Sequence, residues 1–232
     1  MIPVPSGPAL AALPSPVQLD WPAMAAVRRR VLHHVEMPAY LLLPEVSALL
    51  DALDDDRQRL LLDLLWNTGA RITEALALTP ADLALDDPHQ PYVSLPTLKQ
   101  RPRSARRPKP RLVPLLDPAF VVRLRRYLAT HRPPKRERLW QVSDQTVRNW
   151  MGRAYERASA AGAEIAFRPG PHSLRHSFAV HCVLHQVPVP VLQAWMGHRS
   201  RRSTEIYTQV MGIEAFGLGQ QVAFSLPLTV AR

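Results

Sequence analysis

The chain has 232 residues, 47% of them hydrophobic, with 24 prolines, one cysteine and a formal net charge of +10. That length provides ample core for one large domain or two small ones, no apolar run approaches a membrane span, and the lone Cys182 has no partner for an internal disulfide, so a cytoplasmic setting is expected. The charge is segregated: residues 1–98 carry 6 Lys and Arg against 12 Asp and Glu, whereas residues 99–232 carry 23 against 7, which points the later part of the chain at a polyanion, with nucleic acid first.

The first 22 residues, MIPVPSGPALAALPSPVQLDWP, are rich in proline and read as an extended arm. They lack the basic start and long apolar run of a secretory signal. WPAMAAVRRRVLHHVE is predicted to form a single helix whose Arg28, Arg29 and Arg30 touch a phosphate backbone. Pro44 suits a first helical turn, and Val46, Leu49, Leu50 and Leu53 then follow at i, i+3, i+4 and i+7. Three aspartates, 54 to 56, precede RQRLLLDLLWNT, a helix apolar on most faces and so predicted to be buried. Gly69 is its expected stop, and RITEALAL starts another short helix. PYVSLPTL and RLVPLL read as two strands of a hairpin joined by an overlong loop. That connection is basic: KQRPRSARRPKPR, residues 99–111, holds seven cationic side chains, three prolines and no acid. DPAFVVRLRRYLATH and SDQTVRNWMGRAYERASA are amphipathic helices, and HSLRHSFAVHCVLHQ, VPVLQAWMGH and STEIYTQV complete a helical second half. The fold class expected is α+β, mostly α-helical, with a small antiparallel sheet.

Four motifs stand out in order: TGARITE with Arg71, HSLRH with His172 and Arg175, MGH with His198, and IYT with Tyr207. His172 and Arg175 are three apart, on one helical face. The chemistry these residue types support is attack on a phosphodiester. Its non-bridging oxygens repel a nucleophile, and two guanidinium forks neutralise and hold them. A tyrosine hydroxyl is a serviceable nucleophile once oriented and a good leaving group in the reverse step. The 5′ oxygen that departs needs a proton, so a general acid is required. His172 can take the tyrosine proton or bond the phosphate, and His198 can donate a further bond to it.

In order and spacing the set resembles the tyrosine recombinase (phage integrase) family, from about residue 38 to residue 210. The resemblance implies a catalytic domain with a three-stranded antiparallel sheet, a 3′-phosphotyrosyl intermediate, no metal or cofactor, and catalytic roles for Arg71, His172, Arg175, His198 and the nucleophile Tyr207. It also implies a lysine acid on the hairpin between the second and third strands. Lys99, at the expected end of the second strand, is favoured over Lys109, because a strand end fixes a side chain better than a Pro/Arg loop.

Each of these residues also has an ordinary reading, as a helix cap or as half-buried packing; the ordered set outweighs it. The pairs His172/His176 and His181/His185, with Cys182 beside them, raise a zinc site, yet HExxH is absent and these residues lie along one helix, so no metal is expected. His176 is read as structural, Glu74 as orienting Arg71 or supporting its helix, and Trp66 and Trp195 as core, with Trp195 placed to buttress His198. Arg101, Arg103, Arg106, Arg107 and Lys109 in the loop, and Arg199, Arg201 and Arg202 before Tyr207, are candidate DNA contacts.

The organisation expected is an arm at 1–37 with room for one short helix, a catalytic domain at 38–210, and a tail at 211–232 suited to protomer–protomer contact. About forty residues before the catalytic pattern are too few for the separate N-terminal clamp common in the family. The partner expected is double-stranded DNA bearing a specific site, bound by a homotetramer across two synapsed sites, with a monomer or dimer when free and an accessory DNA-bending protein as a further candidate. The location expected is cytoplasmic and nucleoid-associated. The competing readings are a type IB-like topoisomerase, a non-catalytic DNA-binding protein on the same scaffold and a basic RNA-binding module, the last disfavoured by the lack of an aromatic sheet motif.

Overall fold

The computed structural model describes residues 19–31, 38–87, 89–96 and 110–209. The described helices are α1 Trp21–Val31, α2 Leu43–Asp51, α3 Asp56–Thr68, α4 Ile72–Ala75, α5 Pro118–His131, α6 Asp144–Ala160, α7 Pro171–Leu184, α8 Val189–Met196 and α9 Arg202–Glu205. The strands β1 Leu83–Ala84, β2 Tyr92–Leu95 and β3 Arg111–Pro114 form one antiparallel sheet in the order β1-β2-β3. The architecture is therefore α+β and mostly helical. No helix among the described residues is long and apolar enough to cross a membrane.

Helix α3 is the axis of the core. Asp55 caps it, its carboxylate accepting from the backbone N–H groups of Arg57 (2.7 Å) and Gln58 (3.0 Å). Leu60, Leu61, Leu62, Leu64 and Leu65 are all buried, so the helix is covered on every side, as its apolar sequence predicts. It packs on α7, α5 and α2. Gly69 ends it at φ +58°, and a Cβ there would sit 2.4 Å from Phe178 Cδ1. Two constraints thus converge on that glycine: a left-handed turn and the close approach of α7. The chain then turns straight into α4, which places Arg71 at the junction.

Asp117 and Ser143 cap α5 and α6 in the same way as Asp55. In the sheet, Leu95 pairs with Arg111, so residues 96 to 110 are the connection between β2 and β3. Lys99, Arg101, Arg103, Arg106, Arg107 and Lys109 belong to that connection and lie outside the described residues. STEIYTQV, expected as one helix, divides into α9 and a tighter 3₁₀ turn, Ile206–Thr208, a common ending for a short helix.

The expected phosphate contact through Arg28 needs correction. Helix α1 forms, but Arg28 is only 3% exposed. Its guanidinium makes a bidentate pair with Glu45 (2.7 Å for each bond) and donates to the Tyr40 carbonyl (3.0 Å). The same carboxylate accepts from the N–H groups of Leu42 (2.7 Å) and Ala166 (2.9 Å). Arg28 falls four residues after the buried Met24, on the inner face of α1, and pins that helix to the body. Arg29 remains exposed, 3.7 Å from Glu164.

Candidate active site

Each candidate side chain is carried by a different turn of the helical body. Arg71 sits at the N-cap of α4, with extended backbone. Glu74, three residues on and 2% exposed, accepts from the Arg71 backbone N–H (2.8 Å) and from Arg71 Nη1 (2.9 Å). Glu74 therefore orients Arg71, as one of its two sequence readings holds.

The carboxylate also takes a second arginine that the sequence reading did not single out. Arg111, the last residue of KQRPRSARRPKPR and the first of β3, donates Nη1 and Nη2 to the two Glu74 oxygens at 2.9 and 2.6 Å. Its Nε donates to the Trp195 carbonyl at 2.8 Å. A signal for it exists in the strand's period of two: Arg111 shares a face with the buried Val113, while Leu112 points outward. An inward charge needs a partner. Burial alone would push the Glu74 carboxyl up; the bonds and charge of Arg111, followed by the bonds from Arg71, outweigh it and hold the carboxyl below its usual range.

Arg175, on α7, is 4% exposed. Both of its hydrogen bonds among the described residues go to neutral carbonyls, Nη1 to Gly69 and Nη2 to Met196, each at 2.5 Å. Those two carbonyls end α3 and α8, so Arg175 is clamped where three helices meet. Burial, followed by the charges of Arg71 and Arg111, lowers its pKa to about 10, and it stays charged at neutral pH. Three guanidiniums thus face one carboxylate, an excess of two positive charges in a partly dry recess.

His198 follows Gly197, which is left-handed (φ +62°) and approached by Arg111 Cδ, 3.0 Å from where a Cβ would stand. Trp195 buttresses this turn through its carbonyl bond to Arg111. His198 Nδ1 meets Thr204 Oγ1 at 2.9 Å. Burial and then the neighbouring Arg175 and Arg71 lower the His198 pKa to about 4, so the ring is neutral. When Nδ1 accepts from Thr204, Nε2 carries the proton and is free to donate.

Tyr207, 2% exposed, stacks on His198 (6.4 Å between ring centres, 17° between planes) and tilts against His176 at 5.9 Å. Its hydroxyl lies 2.8 Å from His176 Nδ1. Burial raises its pKa, while Arg175 and Arg71 oppose that rise. His172 is exposed in the first turn of α7, edge-on to His176 at 6.5 Å. Arg71, Arg175, His198 and Tyr207 are thus brought together, with His172 and His176 alongside.

Arg199, Arg201 and Arg202 are exposed beside this recess, and Arg201 is engaged by Glu205 at 2.9 Å. His181 packs between Trp21 and Trp66 (6.1 and 4.9 Å), and His185 Nδ1 bonds the His181 carbonyl at 2.9 Å. Burial pushes the Cys182 thiol up to about 12, which leaves it unreactive. Trp66 and Trp195 are half-buried against the core.

A tyrosine hydroxyl inside an arginine-rich recess is the equipment that nucleophilic phosphoryl transfer requires. The chain matches the phage integrase family over residues 40–212. It is 42% identical to a resolvase of Escherichia coli, with 97% of this chain and 94% of that protein aligned. It is 35% identical to the tyrosine recombinase XerD of Mycobacterium tuberculosis, over 75% of this chain and 57% of that protein. The crystal structure of the XerA recombinase shares its fold, with a TM-score of 0.63, 23% identity, and 80% of this chain and 65% of that one covered. The chain therefore belongs to the phage integrase family, that of the tyrosine recombinases, whose members cleave and rejoin DNA strands.

Proposed function

We propose that this site-specific tyrosine recombinase resolves joined DNA by recombining two copies of one duplex site. The observation that carries the chemistry is the excess of two positive charges around Tyr207. A phosphodiester brings one negative charge and its five-coordinate transition state carries two, so the recess favours the transition state over the bound ground state.

In this reading Arg71 and Arg175 hold the two non-bridging oxygens, and His172 and the Nε2 proton of His198 add hydrogen bonds to them. Tyr207 Oη attacks phosphorus as its proton passes to His172 or to water, forming the tyrosyl–phosphate bond, and the P–O5′ bond breaks. The departing O5′ takes a proton from the hairpin acid, for which Lys99 remains the first candidate and Lys109 the second. The free 5′ hydroxyl of the partner duplex then attacks phosphorus and returns a proton to that acid, the tyrosine leaves and regains its own proton, and the strand is resealed without ATP or metal. Arg199 and Arg202, with the basic connection between β2 and β3, would follow the flanking backbone. One tyrosine serves one strand at a time, so exchange of four strands calls for a homotetramer across two synapsed sites, assembled from monomers or dimers with or without a DNA-bending helper. Resolution, as opposed to inversion or integration, is favoured by the relative named a resolvase, which aligns along 94% of its length. A DNA substrate places the protein inside the cell.

The test is to search the DNA flanking the gene for a short inverted repeat and to supply that repeat on a nicked suicide substrate. A covalent protein–DNA adduct is expected with the wild-type chain and none with Tyr207→Phe, which should still bind. An adduct persisting in Tyr207→Phe would remove Tyr207 from its role. Relaxation of a supercoiled plasmid lacking the site would favour a topoisomerase.

A further inference from the structure

Tyr207 stands on a three-residue turn after a four-residue helix. Neither element has the length to fix a long side chain by itself. Its ring is confined by His176 and His198, but a phenol confined only by ring packing still lets its hydroxyl swing with χ1 and χ2. Among the described residues the hydroxyl has one hydrogen-bond partner, His176 Nδ1 at 2.8 Å. His176 comes from α7, whose inner face is deeply buried and which packs on α3. It directly follows Arg175, the residue clamped between the α3 and α8 carbonyls. The segment that fixes the phosphate clamp is therefore the segment that fixes the nucleophile's oxygen.

We propose that His176 is a positioning residue for the nucleophile: its Nδ1 accepts the Tyr207 Oη–H bond and registers the hydroxyl against the arginine clamp set by its neighbour Arg175. The proposal rests on the phosphoryl-transfer reading of Tyr207 and replaces the purely structural reading of His176. The ring has to be neutral for Nδ1 to accept. Burial, followed by the facing His172 and Arg175, lowers its pKa to about 4, so it is neutral at physiological pH. On the other side it packs against Tyr207, on which the likewise neutral His198 stacks. A phenol donating to Nδ1 has its lone pairs directed away from the imidazole, the orientation an attacking oxygen needs. An imidazolium would reverse the bond, donating to the oxygen and tying up a lone pair.

Asparagine provides the discriminating substitution. Its Oδ1 reaches about the place of the imidazole Nδ1 and accepts a hydrogen bond, but it is no base. His176→Leu fills similar space and accepts nothing. The measurement is single-turnover formation of the covalent adduct on the suicide substrate at saturating protein, with DNA affinity and thermal midpoint determined alongside. His176→Leu is expected to bind DNA like the wild type while forming adduct about 10- to 100-fold more slowly, the scale of a misplaced reacting group. His176→Asn is expected to recover to within about threefold of the wild type.

A His176→Leu rate equal to the wild type refutes the proposal. So does a His176→Asn rate as low as that of His176→Leu at normal thermal stability, which would make proton transfer to His176 the requirement. A fall in DNA affinity matching the fall in rate would assign His176 to the phosphate and refute it equally. Failure of the wild-type chain to form any adduct would instead overturn the proposed function.

Discussion

Arg111 offers the sharpest test of how the site is built. Replacing it by methionine keeps most of the aliphatic stem beside Gly197 and removes three hydrogen bonds: two to Glu74 and one to the Trp195 carbonyl. Glu74 is 2% exposed, so water cannot replace what is lost. Removing one partner of a buried ion pair costs about 3–5 kcal/mol. Arg71 stays on Glu74, which puts the expected loss near the lower end, about 3 kcal/mol. For a chain of this size that is a fall of about 6–12 °C in the thermal midpoint.

The pH dependence carries the mechanism. In the wild type the Glu74 carboxyl lies below its usual value, so its contribution to stability is present above the unfolded pKa of 4.5 and is lost as pH falls through the folded one. Without Arg111, burial, the largest influence on Glu74, is opposed only by the bonds from Arg71, and the carboxyl moves up from its wild-type position. The stability that ionised Glu74 contributes above its unfolded pKa shrinks accordingly, whereas at low pH, where the carboxyl is protonated, little is left to lose. The deficit of Arg111→Met should therefore be largest at pH 7 and clearly smaller at pH 4. Urea unfolding at both values measures it. A deficit below about 1 kcal/mol at pH 7, the scale of an exposed ion pair, would refute the argument, as would an equal deficit at the two pH values. Adduct formation should fall as well, because Glu74, which orients Arg71, is no longer fixed by Arg111.

Two further outcomes are expected from the basic connection between β2 and β3. Lys99→Ala should slow cleavage strongly yet regain it on a substrate with a 5′-bridging phosphorothiolate, whose sulfur leaves without a proton; if Lys109→Ala is the variant so rescued, Lys109 is the acid. Neutralising Arg103, Arg106 and Arg107 together should weaken DNA binding across sequences and reduce the slope of log affinity against log salt by up to about one unit per lost phosphate contact. An unchanged slope would place those arginines away from the backbone.

What could be read from the chain and what could not differ in range. Local signals were sufficient for the helices: Asp55 before α3, Gly69 after it, and Asp117 and Ser143 before α5 and α6 act within a few residues of themselves. The candidate reactive groups stood out for another reason, since few residue types can neutralise a phosphate or attack it, and Arg71, His172, Arg175, His198 and Tyr207 appear in an ordered series. Arg28 was misread because a triplet of arginines looks like a solvated face, although its place four residues after Met24 turns it inward. Arg111 was hidden among six other cations, distinguished only by its parity with Val113.

By itself, then, the sequence determined the helical α+β framework, its caps, and the chemical inventory of the site, because those depend on periodicity and residue type. Only the tertiary structure decided who holds whom. Glu74 meets an arginine 37 residues away, Arg175 reaches a carbonyl 106 residues back, and Tyr207 finds His176 across 31 residues. No periodicity encodes such pairings. They follow from the packing of α7 against α3 and of β3 against α8, and that packing turns a row of separate motifs into one recess.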